Sequence, residues 1–170
     1  AGHEARAKQT QEVTQQDLQR IADGYKDLKY LMDNWNKETR DCKETMDNMV
    51  TGLTSGVQSP DSCKATPNKV KKYIGMNSIK DKLFNSQQLW INIKSTDLVS
   101  SKDEDRFDDA IEDWEKHKRQ ASEWAYTSSW GEGNPGGGRD KVEDYLLRSK
   151  SEAQLALESL GVILDVLKLG

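Results

Sequence analysis

Apolar or small residues recur every three, then four, positions along the first third of the chain. They are Leu18, Ile21, Tyr25, Leu28, Met32, Trp35, Thr39, Cys42, Met46, Met49 and Leu53. Alternating steps of three and four mark the seam of a helix packed lengthwise against other helices. The pattern predicts a first helix from Thr14 to Val50. No proline interrupts it, and Gly24 is the only glycine between Leu18 and Val50. A seam of that length needs partners of similar length, and the rest of the chain supplies candidates.

Gly52, Gly56, Ser59 and Pro60 then mark a loop. Thr66-Pro67 reads as a helix start, with threonine at the cap and proline in the first turn. A short helix Pro67–Ile74 is expected, stopped by Gly75. A further helix is expected from Ser78 to about Leu98, with Ile79, Leu83, Trp90 and Ile93 on one face. Ser101 followed by Glu104 has capping-box spacing. The next helix carries Phe107, Ile111, Trp114, Lys118, Ala121, Ala125 and Ser128 as its stripe. Lys118 spoils that stripe unless its stem packs and its ammonium reaches water. After the Gly131–Gly138 loop, Asp140 with Glu143 three residues on is expected to cap a last helix. Its seam is Val142, Leu146, Ser149, Ala153, Ala156, Leu160, Ile163 and Leu167. Ser149, Ala153 and Ala156 are small, so a neighbouring helix could approach closely. No alternating period-two segment predicts a strand.

Four main helices with one apolar stripe each predict an all-α, up-down-up-down four-helix bundle, with the short extra helix in the first connection. Residues 1–13 are expected to be a flexible N-terminal segment and residues 14–170 a single domain. Charged residues make up 32% and hydrophobic residues 34%, which suits an elongated bundle with a small core. The net charge of −4 argues against nucleic acid as a main partner. No stretch reaches the roughly 20 apolar residues of a membrane span. The chain begins Ala-Gly-His without methionine, compatible with a removed leader or a trimmed chain. Cys42 and Cys63 are the two cysteines. A disulfide between them would close a loop of roughly 20 residues and stabilise by about 3 kcal/mol in the loop-entropy account. The alternative is two unrelated thiols, Cys42 being a buried seam residue.

Catalytic and metal chemistry find little support. His3 and His117 are the only histidines; His117 has Asp113 four residues before it and Ala121 four after, so a helix-face metal pair is not spelled out and a surface histidine is expected. The cysteines form no C-x-x-C motif. Gly136-Gly137-Gly138 lacks the ending of a phosphate-binding loop. The carboxylates from Asp103 to Glu115 lack calcium-loop spacing and read as a solvated helix face. No catalytic residue, metal ligand or cofactor is therefore expected. Trp35, Trp90 and Trp114 are read as core residues. Trp130, beside the glycine loop, is the aromatic most suited to a partner interface. Lys64, Lys69, Lys71, Lys72, Lys80 and Lys82 cluster around the short helix. They are either a solvated face or a docking surface for an acidic partner, the latter with salt-sensitive binding.

The stretch from Cys63 through Lys69, Val70, Lys71, Lys72, Tyr73, Ile74, Gly75 and Met76 to Asp81-Lys82-Leu83-Phe84 resembles the segment joining the first two helices of PsbQ-like proteins. Val142–Lys150, preceded by Asn134-Pro135-Gly136-Gly137-Gly138, reinforces the resemblance, which lies on the diatom-type branch of these extrinsic subunits of photosystem II. It spans roughly Leu18 to Leu167. The resemblance implies a non-catalytic subunit of the chloroplast thylakoid lumen, peripheral to the membrane. Such a subunit docks on lumenal subunits of photosystem II and other extrinsic proteins. There it shields the oxygen-evolving centre and helps it retain calcium and chloride. A monomer in solution is expected. Two departures matter: plant PsbQ has a proline-rich N-terminal arm, whereas residues 1–59 here hold no proline, and it lacks this cysteine pair. The rival reading is a secreted or adaptor-type helical-bundle binding protein, with a lipid binder third and an enzyme last.

Overall fold

The computed structural model describes residues 12–41, 63–74, 83–131 and 138–170. The protein is all-α apart from one two-stranded ladder among the described residues. Helix α1 spans Gln15–Asp33 and α2 Trp35–Thr39, followed by β1 at Arg40–Asp41. Strand β2 is Lys64–Ala65, α3 Lys69–Ile74 and α4 Gln87–Lys94. A 3-10 turn at Ser101–Asp103 leads into α5, Glu104–Ser129, and α6 spans Arg139–Val166.

Helix α1 starts where a reciprocal cap satisfies its free amides. Thr14 Oγ1 accepts from the Asp17 amide at 3.1 Å, and Asp17 Oδ2 accepts from the Thr14 amide at 3.0 Å. The expected continuous helix to Val50 is corrected. Asn34 leaves helical geometry, and its side-chain amide takes the Tyr30 carbonyl at 2.9 Å. One further turn ends at buried Thr39, and Arg40 is extended at φ −135° and ψ 144°. Residues 42–50 lie outside the described residues. Strand β1 pairs antiparallel with β2, Arg40 opposite Ala65 and Asp41 opposite Lys64. The Thr66 amide donates to Thr39 O at 2.6 Å, continuing the same register. Hydrogen-bonded and non-hydrogen-bonded pairs alternate in such a ladder. Cys63 is buried and disulfide-bonded; Cys42 lies outside the described residues.

Three other boundaries differ from the sequence expectation. Helix α3 begins two residues after Pro67, because Thr66, Pro67 and Asn68 form a turn whose carbonyls accept from the amides three residues on. Helix α4 begins at Gln87, and Leu83–Asn85 is a turn. Its carbonyls are drawn off the helical ladder by the Lys118 ammonium, which takes Leu83 O at 3.3 Å and also Phe84 O. Neither expected capping pair forms. Ser100 rather than Ser101 bonds Asp103, at 2.9 Å, and Glu143 turns away from Asp140 to meet Arg40.

Helices α5 and α6 run antiparallel and lie close together. Ser149 Oγ donates to Ala121 O at 2.7 Å and Ser128 Oγ to Val142 O at 2.8 Å, contacts that small residues allow. One core joins Ile21, Leu28, Leu31 and Trp35 of α1, Val70 and Ile74 of α3, Trp90 and Ile93 of α4, and the facing stripes of α5 and α6. Each fully buried Leu or Ile contributes about 1.5–3 kcal/mol. Gly24 lets Leu83 seat against α1, since an added Cβ would overlap Leu83 Cδ1 and lie 3.1 Å from its Cγ.

Candidate interaction surface

Lys71 of α3 and the C-terminal turns of α5 come together on one surface. Tyr126 and Trp130 are four residues apart, so they share a face of α5. Their rings lie 6.1 Å apart at 61°, and they are 52% and 56% exposed. The Lys71 ammonium, reaching over from α3, sits 4.8 Å from the Tyr126 ring centroid. A cation at that distance is attracted by the ring face. Two large aromatics, each more than half exposed, are costly to leave in water unless something else covers them.

A second aromatic group stands behind the α3 lysines. Tyr73 lies 5.6 Å from Tyr30, and both phenols donate to Glu38, at 2.9 Å and 2.8 Å. These two hydrogen bonds hold the Glu38 carboxyl below the usual carboxylate range. Burial, and then the bond to Glu38, push the Tyr73 phenol up to about 12. Its bond to Glu38 likewise raises Tyr30. The Lys72 ammonium lies 5.4 Å from the Tyr73 ring. The Glu38 carboxylate thereby ties α1, α2 and α3 into one platform, and α3 cannot shift without breaking it.

Of the sequence candidates, Lys71 and Trp130 are brought together through Tyr126. Lys69 and Lys72 are exposed on the same short helix, while Lys64 is exposed on β2 opposite Asp41. Lys80 and Lys82 lie outside the described residues. Sequence reasoning missed Tyr126, Tyr30, Tyr73 and Glu38. The spacing of Tyr126 to Trp130 was an available signal; the Glu38 cluster joins separate segments and had none.

The groups considered for chemistry have structural partners. Lys118 is 2% exposed and pairs with Glu115 at 2.5 Å, so its ammonium does not reach water. Glu115 also accepts from the Trp90 indole at 3.0 Å. His117 meets Glu152 at 2.5 Å across α5 and α6. His3 lies outside the described residues. No group of three or more metal-ligating side chains occurs among the described residues. No helix among them is long and apolar enough to cross a membrane. Trp35, Trp90 and Trp114 are buried, while Trp124 stacks on Tyr145 at 5.5 Å and has the Arg148 guanidinium 4.9 Å from its ring centroid. No family model, curated protein or solved structure matches the chain.

Proposed function

We propose that the protein is a non-catalytic docking subunit that binds an acidic protein face through the lysines of α3 and the Tyr126–Trp130 pair. Under this reading its long helices form the up-down-up-down four-helix bundle expected from the stripes. The observation that carries the reading is the Lys71 ammonium seated on a half-exposed Tyr126 beside a half-exposed Trp130. Exposed aromatics and cations on a rigid platform have the composition of binding hot spots. The partner class comes from the resemblance of Cys63–Met76 and Val142–Lys150 to PsbQ-like proteins. It suggests the lumenal face of photosystem II, where the subunit would stabilise the oxygen-evolving centre and its calcium and chloride retention.

Reconstitution tests this directly. Photosystem II stripped of extrinsic subunits by salt is mixed with this chain, alone and with the other extrinsic subunits, and rebinding and oxygen evolution are followed. Salt-sensitive rebinding that raises oxygen evolution is expected. Trp130→Ala should weaken it by about 2 kcal/mol, roughly 30-fold. Charge reversal at Lys69 and Lys72 should slow association and flatten the salt dependence. Absence of rebinding by the folded chain would reject photosystem II as the partner and leave the secreted or adaptor-type bundle. Rebinding unchanged in both variants would reject the surface.

A further inference from the structure

We propose that the groove between α4 and α5 is a second docking surface, which takes a basic amphipathic helix from a partner protein. Its floor is apolar and fixed. Trp90 is 3% exposed, its indole N–H is satisfied by Glu115, and its ring meets Phe107 edge-on at 6.4 Å. Ile91 stands beside it 59% exposed, and Ile111 of α5 completes the apolar lining.

The rim decides the occupant. Glu104, Asp108 and Glu112 follow one another at four-residue spacing and so form one ridge along α5, which exposed Lys116 ends one turn on. Lys94 crosses from α4 to Asp108 at 2.7 Å and is the only lysine among the described residues that line the groove. Glu104 and Glu112 have no ion-pair partner among the described residues. Glu104 lies in the first turn of α5 and is accounted for by the helix dipole; Glu112, two turns further in, is not. An apolar trough beside a carboxylate ridge complements a helix with apolar anchors at i, i+3, i+4 and i+7 and lysines or arginines flanking them. The same ridge repels an anionic lipid surface. Ile111 and Tyr126 are separated by about 22 Å along α5 at 1.5 Å per residue, so this surface is separate from the lysine–aromatic one. The protein would then hold an acidic partner at one end of α5 and a basic helix at the other.

The test is fluorescence anisotropy of a labelled 18-residue Leu/Lys amphipathic peptide titrated with the full chain, beside a Leu/Glu peptide of the same pattern. The Leu/Lys peptide should bind and the Leu/Glu peptide should not. Ile91→Ser should weaken binding by about tenfold or more, the loss of one apolar anchor. Glu112→Lys should weaken it severalfold. Leu147→Ser, which alters an equally exposed leucine on α6, should leave it unchanged, as should Trp130→Ala. That last result separates the groove from the lysine–aromatic surface. Ile91 faces solvent, so its serine variant should keep the parent's helical circular dichroism. Equal binding of both peptides, unchanged binding by Ile91→Ser, or equal loss in Leu147→Ser would overturn the proposal.

Discussion

Replacing Lys118 by methionine should be among the most damaging single changes in α5, although methionine matches the stem in shape. Lys118 is 2% exposed, and its ammonium serves Glu115, the carbonyls of Leu83 and Phe84, and Ser86 Oγ at 3.5 Å. Methionine restores the packing but leaves Glu115 charged and two carbonyls without this donor. Breaking a buried ion pair from one side costs about 3–5 kcal/mol. The Glu115 side chain is 17% exposed, so water relieves part of the penalty and the lower end applies. With a urea slope of about 2 kcal/mol/M, a loss of about 3 kcal/mol lowers the unfolding midpoint by roughly 1.5 M. Adding Glu115→Gln should recover part of the loss. The neutral amide still accepts from Trp90 and no longer needs a counter-charge, so the two changes should couple by about 1–3 kcal/mol. Urea melts of the two single variants and the double, followed by circular dichroism, complete the cycle. A cost below about 1 kcal/mol for Lys118→Met, or strict additivity, would refute the idea that this pair fixes the Leu83–Ser86 turn onto α5.

Gly24→Ala should destabilise although it lies within a helix. The gain of about 1 kcal/mol in helix propensity is outweighed by about 1–3 kcal/mol of overpacking against buried Leu83, and a thermal melt reads the sign. Arg40 forms two 2.5 Å bonds to Glu143 and holds its carboxyl below the ordinary 4.5. That stability is therefore complete above pH 4.5 and is lost as pH falls through the lowered folded-state value; Glu143→Gln should flatten this acid limb in pH-dependent melts. The Tyr73 phenol, pushed up to about 12 from 10.0, favours folding below pH 10 and loses that effect as pH rises toward 12. Tyrosinate absorbance of Glu38→Gln should show earlier ionisation. Reduction of the Cys63 disulfide should lower stability by about 3 kcal/mol, measured as the shift in urea midpoint with and without reductant.

The stripes of α5 and α6 were readable because both faces are made within single uninterrupted helices. Phe107, Trp114, Ala121 and Ala125 pack against Leu146, Ala153, Ala156 and Leu160, and the small residues announced the close approach. The end of the first helix was not readable. The three/four seam runs on through Cys42, Met46 and Met49, while the chain turns extended at Arg40 because of a ladder with residues 64 and 65. A two-residue strand has no periodicity to detect. Glu143 was misread for the same kind of reason: its spacing from Asp140 fits a cap, but the competing partner, Arg40, is 103 residues away in sequence. At the interaction surface, Lys71 and Trp130 were legible singly. Their meeting through Tyr126 depends on α3 lying against α5, which no local pattern encodes.

That meeting also changes how Lys71 should be interpreted. The first turn of α5 carries Glu104 and Asp105, which favour the positive end of its dipole. Its last turn contains no basic residue of its own. Lys71, held over Tyr126 in that last turn, brings a positive charge from α3 to the end of α5 that has none of its own, the sign that the dipole favours there. Reversing Lys71 would then weaken the α3–α5 contact as well as any docking, by about 0.3–1 kcal/mol from the dipole alone. Lys69 and Lys72 are exposed and have no such contact with α5, but Lys72 lies over the Tyr73 ring and Lys69 helps hold the Glu38 carboxyl low, so a thermal melt must accompany their reversal. If Lys71 reversal lowers stability while Lys69 and Lys72 reversal does not, a loss of binding can be assigned to the surface only in the second case.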